Sequence, residues 1–341
     1  MLEIIWFVLW TLLWAVYFVL DGFDLGLGAL MPAIAKTEEE RRMVYNASGP
    51  FWDGNEVWLI AAGGVTFAAF PKVYAYMFST LYAPLLLLLF ALILRAVSYE
   101  FRNKVDSPAW RAMWDIVHFI VNLAACLLLG VFFANLFMGI PFDANGVYEG
   151  NLLKLLNIYG LAGGLFFLAA FMMHGAIWLT IKSRDELQTR ALAAAGVCWV
   201  AVAVLLIVFL VLTFFCTNIF GNYLRMPWLI VLPALAVLAL LLVPRMLNKG
   251  HLWLAWSASG LFLICVTFFG VMGIYPNMLI SSTDPAATLT AFNGASTANT
   301  LEIMLVVALV MVPIVLLYQF WMYRLFSRPV TREELESDHA Y

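Results

Sequence analysis

Long apolar blocks separated by short polar breaks run the length of the chain. A membrane-crossing helix needs about 20 mainly apolar residues. Nine segments supply them: 4–30, 55–71, 73–98, 113–138, 155–181, 191–215, 226–244, 252–275 and 301–326. The second is the shortest, with Trp58 and Phe70 at its ends, and a tight Phe70-Pro71-Lys72 turn joins it to the third. Pro84 and Pro313 fall inside segments, where neighbouring helices can satisfy the freed carbonyls. The pattern predicts an all-α integral membrane protein of about nine transmembrane helices. Segments one to four and five to eight allow two four-helix bundles, with the ninth helix outside them. Residues 1–341 read as a single polytopic membrane domain ending in a short tail over 327–341.

Composition agrees and adds direction. The chain is 65% hydrophobic and only 11% charged, whereas soluble domains are about a quarter charged. A net charge of −3 gives no reason to expect a nucleic-acid partner. Met1-Leu2-Glu3 carries no basic region ahead of the first apolar run and no small-residue cleavage site follows it, so the first segment is expected to stay as a helix. Fifteen of the 18 basic residues fall on one side of the alternating nine-segment layout. They lie around Lys36–Arg42, Arg95–Arg111, Lys182–Arg190, Arg245–Lys249 and Arg324–Arg332, and only Lys72, Lys154 and Arg225 fall on the other. Basic loops stay in the cytoplasm, so the N-terminus is expected outside and the C-terminus inside. The tail sequence Thr331-Arg332-Glu333-Glu334 has the spacing of a helix-capping box. Cys126, Cys198, Cys216 and Cys265 are scattered without metal-site spacing and read as apolar fillers.

Two acidic knots interrupt this apolar chain: Asp21-Gly22-Phe23-Asp24-Leu25-Gly26 and Trp52-Asp53-Gly54-Asn55-Glu56. Carboxylates at membrane depth are costly, and they usually face a protein interior or a wet cavity on an ion or proton path. Asp21 and Asp24 share a helix face, as do Asp53 and Glu56. Gly22 and Gly26 form a G-x-x-x-G, which permits close helix approach. Both knots fall at the basic, cytoplasmic end. They therefore read as the mouth of a proton path, with Asp24 and Asp53 the foremost acids and Asp21 and Glu56 the supports. Interfacial anchoring and helix capping read the same spacing equally well. A third polar stripe, Asp115, His118 and Asn122, climbs the fourth segment as a water chain or as interhelical hydrogen bonding. Arg95, Glu100 and Arg102 read as an interfacial charge cluster. Four histidines are present, His118, His174, His251 and His339. None lies in a ligand-like cluster, so no haem or metal is expected on this chain.

At these residues the chain resembles a known family, subunit II of the bacterial cytochrome bd-type quinol oxidases. The matching pieces are DGFDLG at 21–26, FWDGNEVWL at 51–59, LRAVSYEFR at 94–102, WRAMWD at 110–115 and NLFMGIPF at 135–142. YPNMLISS at 275–282 and TLTAFNGASTANTL at 288–301 extend the resemblance over essentially the whole chain. The resemblance implies a non-haem subunit of a quinol:oxygen oxidoreductase in the bacterial cytoplasmic membrane. Its partner, subunit I, would carry two b-type haems and one d-type haem. Carried over by motif, Asp24 and Asp53 would be proton-path acids, with Asp21, Glu56, Asp115 and His118 weaker candidates. The resemblance leaves room for a bound quinone and for a small single-helix accessory subunit. The alternative from another class is a proton-coupled secondary transporter using the same carboxylates.

Overall fold

The computed structural model describes residues 1–335, and His339 lies outside them. The long apolar blocks fold as helices because only helices satisfy every backbone polar group where water is absent. In chain order they are α1 (Leu2–Ile34), α2 (Glu38–Ser48), α3 (Trp52–Ala69), α4 (Pro71–Thr80), α5 (Tyr82–Phe101), α6 (Pro108–Met138), α7 (Ile158–Lys182), α8 (Asp185–Cys216), α9 (Ile219–Arg225), α10 (Val231–Asn248), α11 (Leu252–Ile274), α12 (Ala298–Leu325) and α13 (Arg332–Leu335). Two short antiparallel strands, β1 (Asn277–Leu279) and β2 (Leu289–Thr290), fold the loop before α12.

Among the described residues, eight helices are long and apolar enough to cross a membrane. The ninth expected segment is α3, which runs the same course but has Asp53, Asn55 and Glu56 in its first two turns. Those residues lower its hydropathy below that of the other spans. The expected third segment differs too, since it is broken at Leu81 into α4 and α5. Pro84 is the cause. It lacks an N–H and its ring clashes with the carbonyl four residues back, so a continuous helix cannot pass through.

Hydrogen bonds sort the connections into two ends. At one end Trp6 Nε1 donates to the Leu301 carbonyl at 2.9 Å, Ser296 N to Ala69 O at 2.8 Å and Ile140 N to Ile280 O at 2.9 Å. At the other end Arg190 Nε donates to Ile34 O at 2.8 Å, and Lys182 Nζ donates to Phe326 O and Arg328 O at 2.6 Å each. This second end holds the basic loops. It also holds α2, an amphipathic surface helix outside the nine expected segments, which opens on a Thr37/Glu40 capping box. The chain after α12 folds back here, where Val330 N reaches Lys182 O and a Thr331/Glu334 capping box starts α13.

Helices α1, α3, α5 and α6 pack as one bundle, and α7, α8, α10 and α11 as a second. The seam between them is tight because α1 and α7 meet through glycine. A Cβ on Gly26 would overlap the Phe171 carbonyl, and one on Gly22 would lie 2.8 Å from the Phe171 ring. Helix α12 rests on α1 and α3 with almost none of its apolar face covered. Its uncovered flank includes Val306, Leu309, Leu317 and Phe320.

Candidate functional site: a buried acid beside two arginine clusters

Helix α5 organises the charged interior. Its buried residues, Leu88, Ala91, Leu92, Arg95, Ser98 and Tyr99, recur at three- and four-residue intervals along one face, and Arg102 extends the same stripe. Both arginines are fully enclosed, while Glu100, read with them as interfacial, is exposed. A buried arginine persists only where carboxylates meet it with good geometry.

Arg95 Nη1 pairs with Asp21 Oδ1 at 2.6 Å, and Nη2 with Glu56 Oε2 at 2.9 Å. This triad ties α1, α3 and α5 together. One turn further along α1, Asp24 is fully buried and, among the described residues, has no cation within ion-pair distance. Its Oδ2 accepts from Asn55 Nδ2 at 2.7 Å. The same amide donates to Leu20 O at 3.0 Å, and Asn55 Oδ1 accepts from the Tyr323 hydroxyl at 3.0 Å. Asp24 Oδ1 is buried without a hydrogen-bond partner. An unsatisfied buried carboxylate oxygen is expensive, and the position suits a carboxyl that carries a proton or meets a water.

Asp53 is placed differently. It lies exposed on the first turn of α3, its Oδ1 accepting from the Gly54 amide at 2.7 Å. The face it shares continues through exposed Val57, Ile60 and Phe67, and among the described residues no neighbour comes within 4 Å of where a Cβ on Gly54, Gly63 or Gly64 would lie. Asp24 and Asp53 thus belong to one acidic region but point into different surroundings, with Asn55 between them.

The Asp115, His118 and Asn122 stripe is divided among neighbours. Asp115 forms a two-pronged pair with Arg102, Oδ1 to Nε at 2.6 Å and Oδ2 to Nη2 at 3.2 Å, and Arg102 also reaches Glu38 at 3.0 Å. His118 Nδ1 lies 2.8 Å from Ser98 Oγ, its ring wedged between Tyr45 and Tyr99, with Nε2 packed towards Gly28. Asn122 donates to its own helix at His118 O. His174 uses both nitrogens, Nδ1 with Ser259 Oγ at 2.6 Å and Nε2 with Val19 O at 3.0 Å. Both His174 nitrogens are thus engaged, and His118 Nε2 faces the neighbouring helix at Gly28. No cluster of His, Cys, Asp and Glu among the described residues could hold a metal.

Sequence reasoning singled out Asp21, Asp24 and Glu56 but gave no role to Asn55 or Tyr323, and it placed Arg95 at the surface. The signal for Arg95 was present, because Arg95, Ser98 and Arg102 fall in line with Leu88 and Ala91 on the apolar stripe of α5. Tyr323 lies 268 residues from Asn55 and had no local signal.

Residues 2–326 match the family model described as cytochrome bd terminal oxidase subunit II. The chain is 35% identical to cytochrome bd-I ubiquinol oxidase subunit 2 of Escherichia coli K12, over 98% of this chain and 97% of that one. It is 34% identical to cytochrome bd ubiquinol oxidase subunit 2 of Bacillus subtilis, over 97% of each. It also resembles the solved bd oxidase structure from Geobacillus thermodenitrificans, with a TM-score of 0.77 and 18% identity over 95% of this chain and 98% of that one. That likeness speaks to the fold alone.

Proposed function

The chain belongs to the cytochrome bd terminal oxidase subunit II family, and we propose that it pairs with a haem-bearing subunit I and feeds protons to oxygen reduction there. It is a multi-pass membrane protein, the non-haem subunit of a quinol:oxygen oxidoreductase. In this reading the two b-type haems and the d-type haem belong to subunit I, and the complex sits in the bacterial cytoplasmic membrane. The basic end of the bundle lies in the cytoplasm, as the charge asymmetry favours.

The observation that carries the proton role is Asp24, a fully buried carboxyl with one oxygen unmatched and no ion-pair partner among the described residues; Asp21, which also keeps one oxygen unmatched, is held by Arg95. Asp53 supports it from the outside. An exposed acid on a membrane helix is unfavourable against lipid, and subunit I seated on the α3 face would cover it. Asp21 and Glu56 hold Arg95, Asp115 holds Arg102, and His118 braces α5 against α6. A small single-helix subunit and a quinone fit this reading without being required by it. A proton-coupled transporter is less well supported, because the charged interior is crowded toward one end of the bundle rather than at a midplane site.

The test is turnover per haem in the purified complex carrying Asp24→Asn or Asp53→Asn. Asparagine keeps the size and most hydrogen bonding but cannot carry a proton. Both variants are expected to assemble with normal haem content, and turnover should fall at least about tenfold for a group that transfers protons in a limiting step. Glutamate at either position should retain more activity than asparagine. Unchanged turnover in both variants would reduce these acids to structural groups.

A further inference from the structure

A groove of about 510 Å³ opens between α1, α11 and α12 towards the basic end of the molecule. Its deep end is apolar, formed by Val16, Ile264 and Leu316, and its outer end by Trp253, Arg324 and Ser327. Leu316 to Ser327 spans about 16 Å of helix, roughly half of the 30 Å hydrocarbon core of a bilayer. The groove therefore runs the depth of one leaflet, with tryptophan and arginine where headgroups lie.

The polar groups along it divide into engaged and free. Gln319 Oε1 accepts from Trp58 Nε1 at 3.0 Å, and the Tyr323 hydroxyl donates to Asn55. Arg324 has no carboxylate partner among the described residues. Trp256 lines the groove wall, but its Nε1 is enclosed. What remains open is one cation. A ligand that satisfies it brings negative charge at headgroup depth and a long apolar body below.

We propose that this groove is a binding site for an anionic phospholipid, its phosphate at Arg324 and one acyl chain lying along α1 towards Leu316. Arg245, Lys249 and Arg328 on the same end add a positive field that favours an anionic over a zwitterionic headgroup. A quinone fits less well. Its ring offers neutral carbonyls and no charge for Arg324, and the neutral side chains that would meet it, Gln319 and Tyr323, are already bonded within the chain.

The experiment is native mass spectrometry of the purified, partly delipidated complex titrated with phosphatidylglycerol or phosphatidylcholine, which reads lipid retention and not turnover. The wild-type complex should retain phosphatidylglycerol preferentially. Arg324→Gln should weaken that preference about fivefold, the worth of one basic residue near an anionic headgroup, and Arg324→Lys should restore most of it. Leu316→Trp, which fills the chain end of the groove, should reduce retention of both lipids. Equal retention of the two lipids by the wild type, or no change in Arg324→Gln, overturns the proposal. So does displacement of the lipid by added quinone, or a crosslink placing subunit I in the groove at position 324.

Discussion

Arg95 and Arg102 stand seven residues apart on one face of α5 and end in different company. Around Arg102 all three guanidinium nitrogens are engaged. Asp115 uses both oxygens, Glu38 adds a third contact, Asn103 takes Nη1 at 3.2 Å, and the Tyr45 ring lies 5.0 Å from the guanidinium. Around Arg95 the matching is incomplete. Its Nε has no partner, and Asp24, one turn from the Asp21 that it holds, keeps an oxygen unmatched. Both clusters pin α5 to its neighbours. At Arg102 the guanidinium is saturated and the unmatched carboxylate oxygen, Glu38 Oε1, lies 3.6 Å from the Arg111 guanidinium, whereas the unmatched oxygen of Asp24 has no ion-pair partner among the described residues and leaves a place for a proton or water. That contrast separates a structural anchor from a candidate carrier better than burial does, since both arginines are equally enclosed.

Removing the arginines gives the largest expected effect. Arg95→Gln strands Asp21 and Glu56 without their cation, and breaking a buried pair from one side costs about 3–5 kcal/mol. The complex should then be recovered in low yield or with a sharply lowered thermal midpoint. Arg102→Gln should cost less, about 1.5–3 kcal/mol, because Glu38 is only half-buried and Arg41 stands 3.9 Å from Asp115 as a substitute. Equal tolerance of the two substitutions would break the distinction between the clusters.

Asp115→Asn sharpens the same comparison from the acid side. It removes charge-assisted bonds to Arg102, with an expected loss of about 1.5–3 kcal/mol in stability. Turnover per haem in the surviving complex should match the wild type, in contrast to Asp24→Asn. If Asp115→Asn slowed turnover as much as Asp24→Asn, the saturated cluster would have to be counted among the carriers, and His118 beside it would need the same scrutiny.

These contrasts were only partly legible in the sequence. Helix placement was, because bilayer thickness sets the length of each apolar block and the basic residues mark one end. The paired glycines of the first knot likewise announced a close crossing, which α7 fills at Phe171. The break at Leu81 was half visible, since Pro84 was recognised but assigned to an unbroken span. Helix α2 was missed although Thr37-Glu38-Glu39-Glu40 carries capping spacing, because attention to apolar blocks passes over a short polar helix at the surface. Within the site, spacing placed Asp21 with Asp24 and Asp53 with Glu56 but could not say which member turns inward. That is decided by α5, whose arginine takes Asp21 and Glu56 and leaves Asp24 to Asn55. Partners hundreds of residues away, such as Tyr323, have no local signature at all.

The smallest expected effect is a pH dependence at the basic end, in a region that resembles the saturated cluster but is open to water. Burial opposes ionisation of Glu40, yet the amides of Lys36 and Thr37 and the Arg190 guanidinium outweigh it and hold the carboxyl below the usual carboxylate value. The Lys36 amide donates at 2.6 Å and that of Thr37 at 3.1 Å, while Arg190 also grips Ile34 O. A group whose folded pKa is depressed stabilises the fold above its unfolded pKa and loses that contribution as pH falls through the folded one. The clamp between α1, α2 and α8 should therefore be intact at neutral pH and weaken below pH 4.5, the ordinary glutamate value. Glu40→Gln should remove this part of the acid sensitivity. Because the pair is part-buried at the surface and still reached by solvent, its cost at neutral pH should be about 1 kcal/mol. The measurement is the thermal midpoint of the purified complex against pH for wild type and Glu40→Gln. Curves that converge as the pH drops below 4.5 support the assignment, and parallel curves across the whole range would show that Glu40 contributes no titrating interaction.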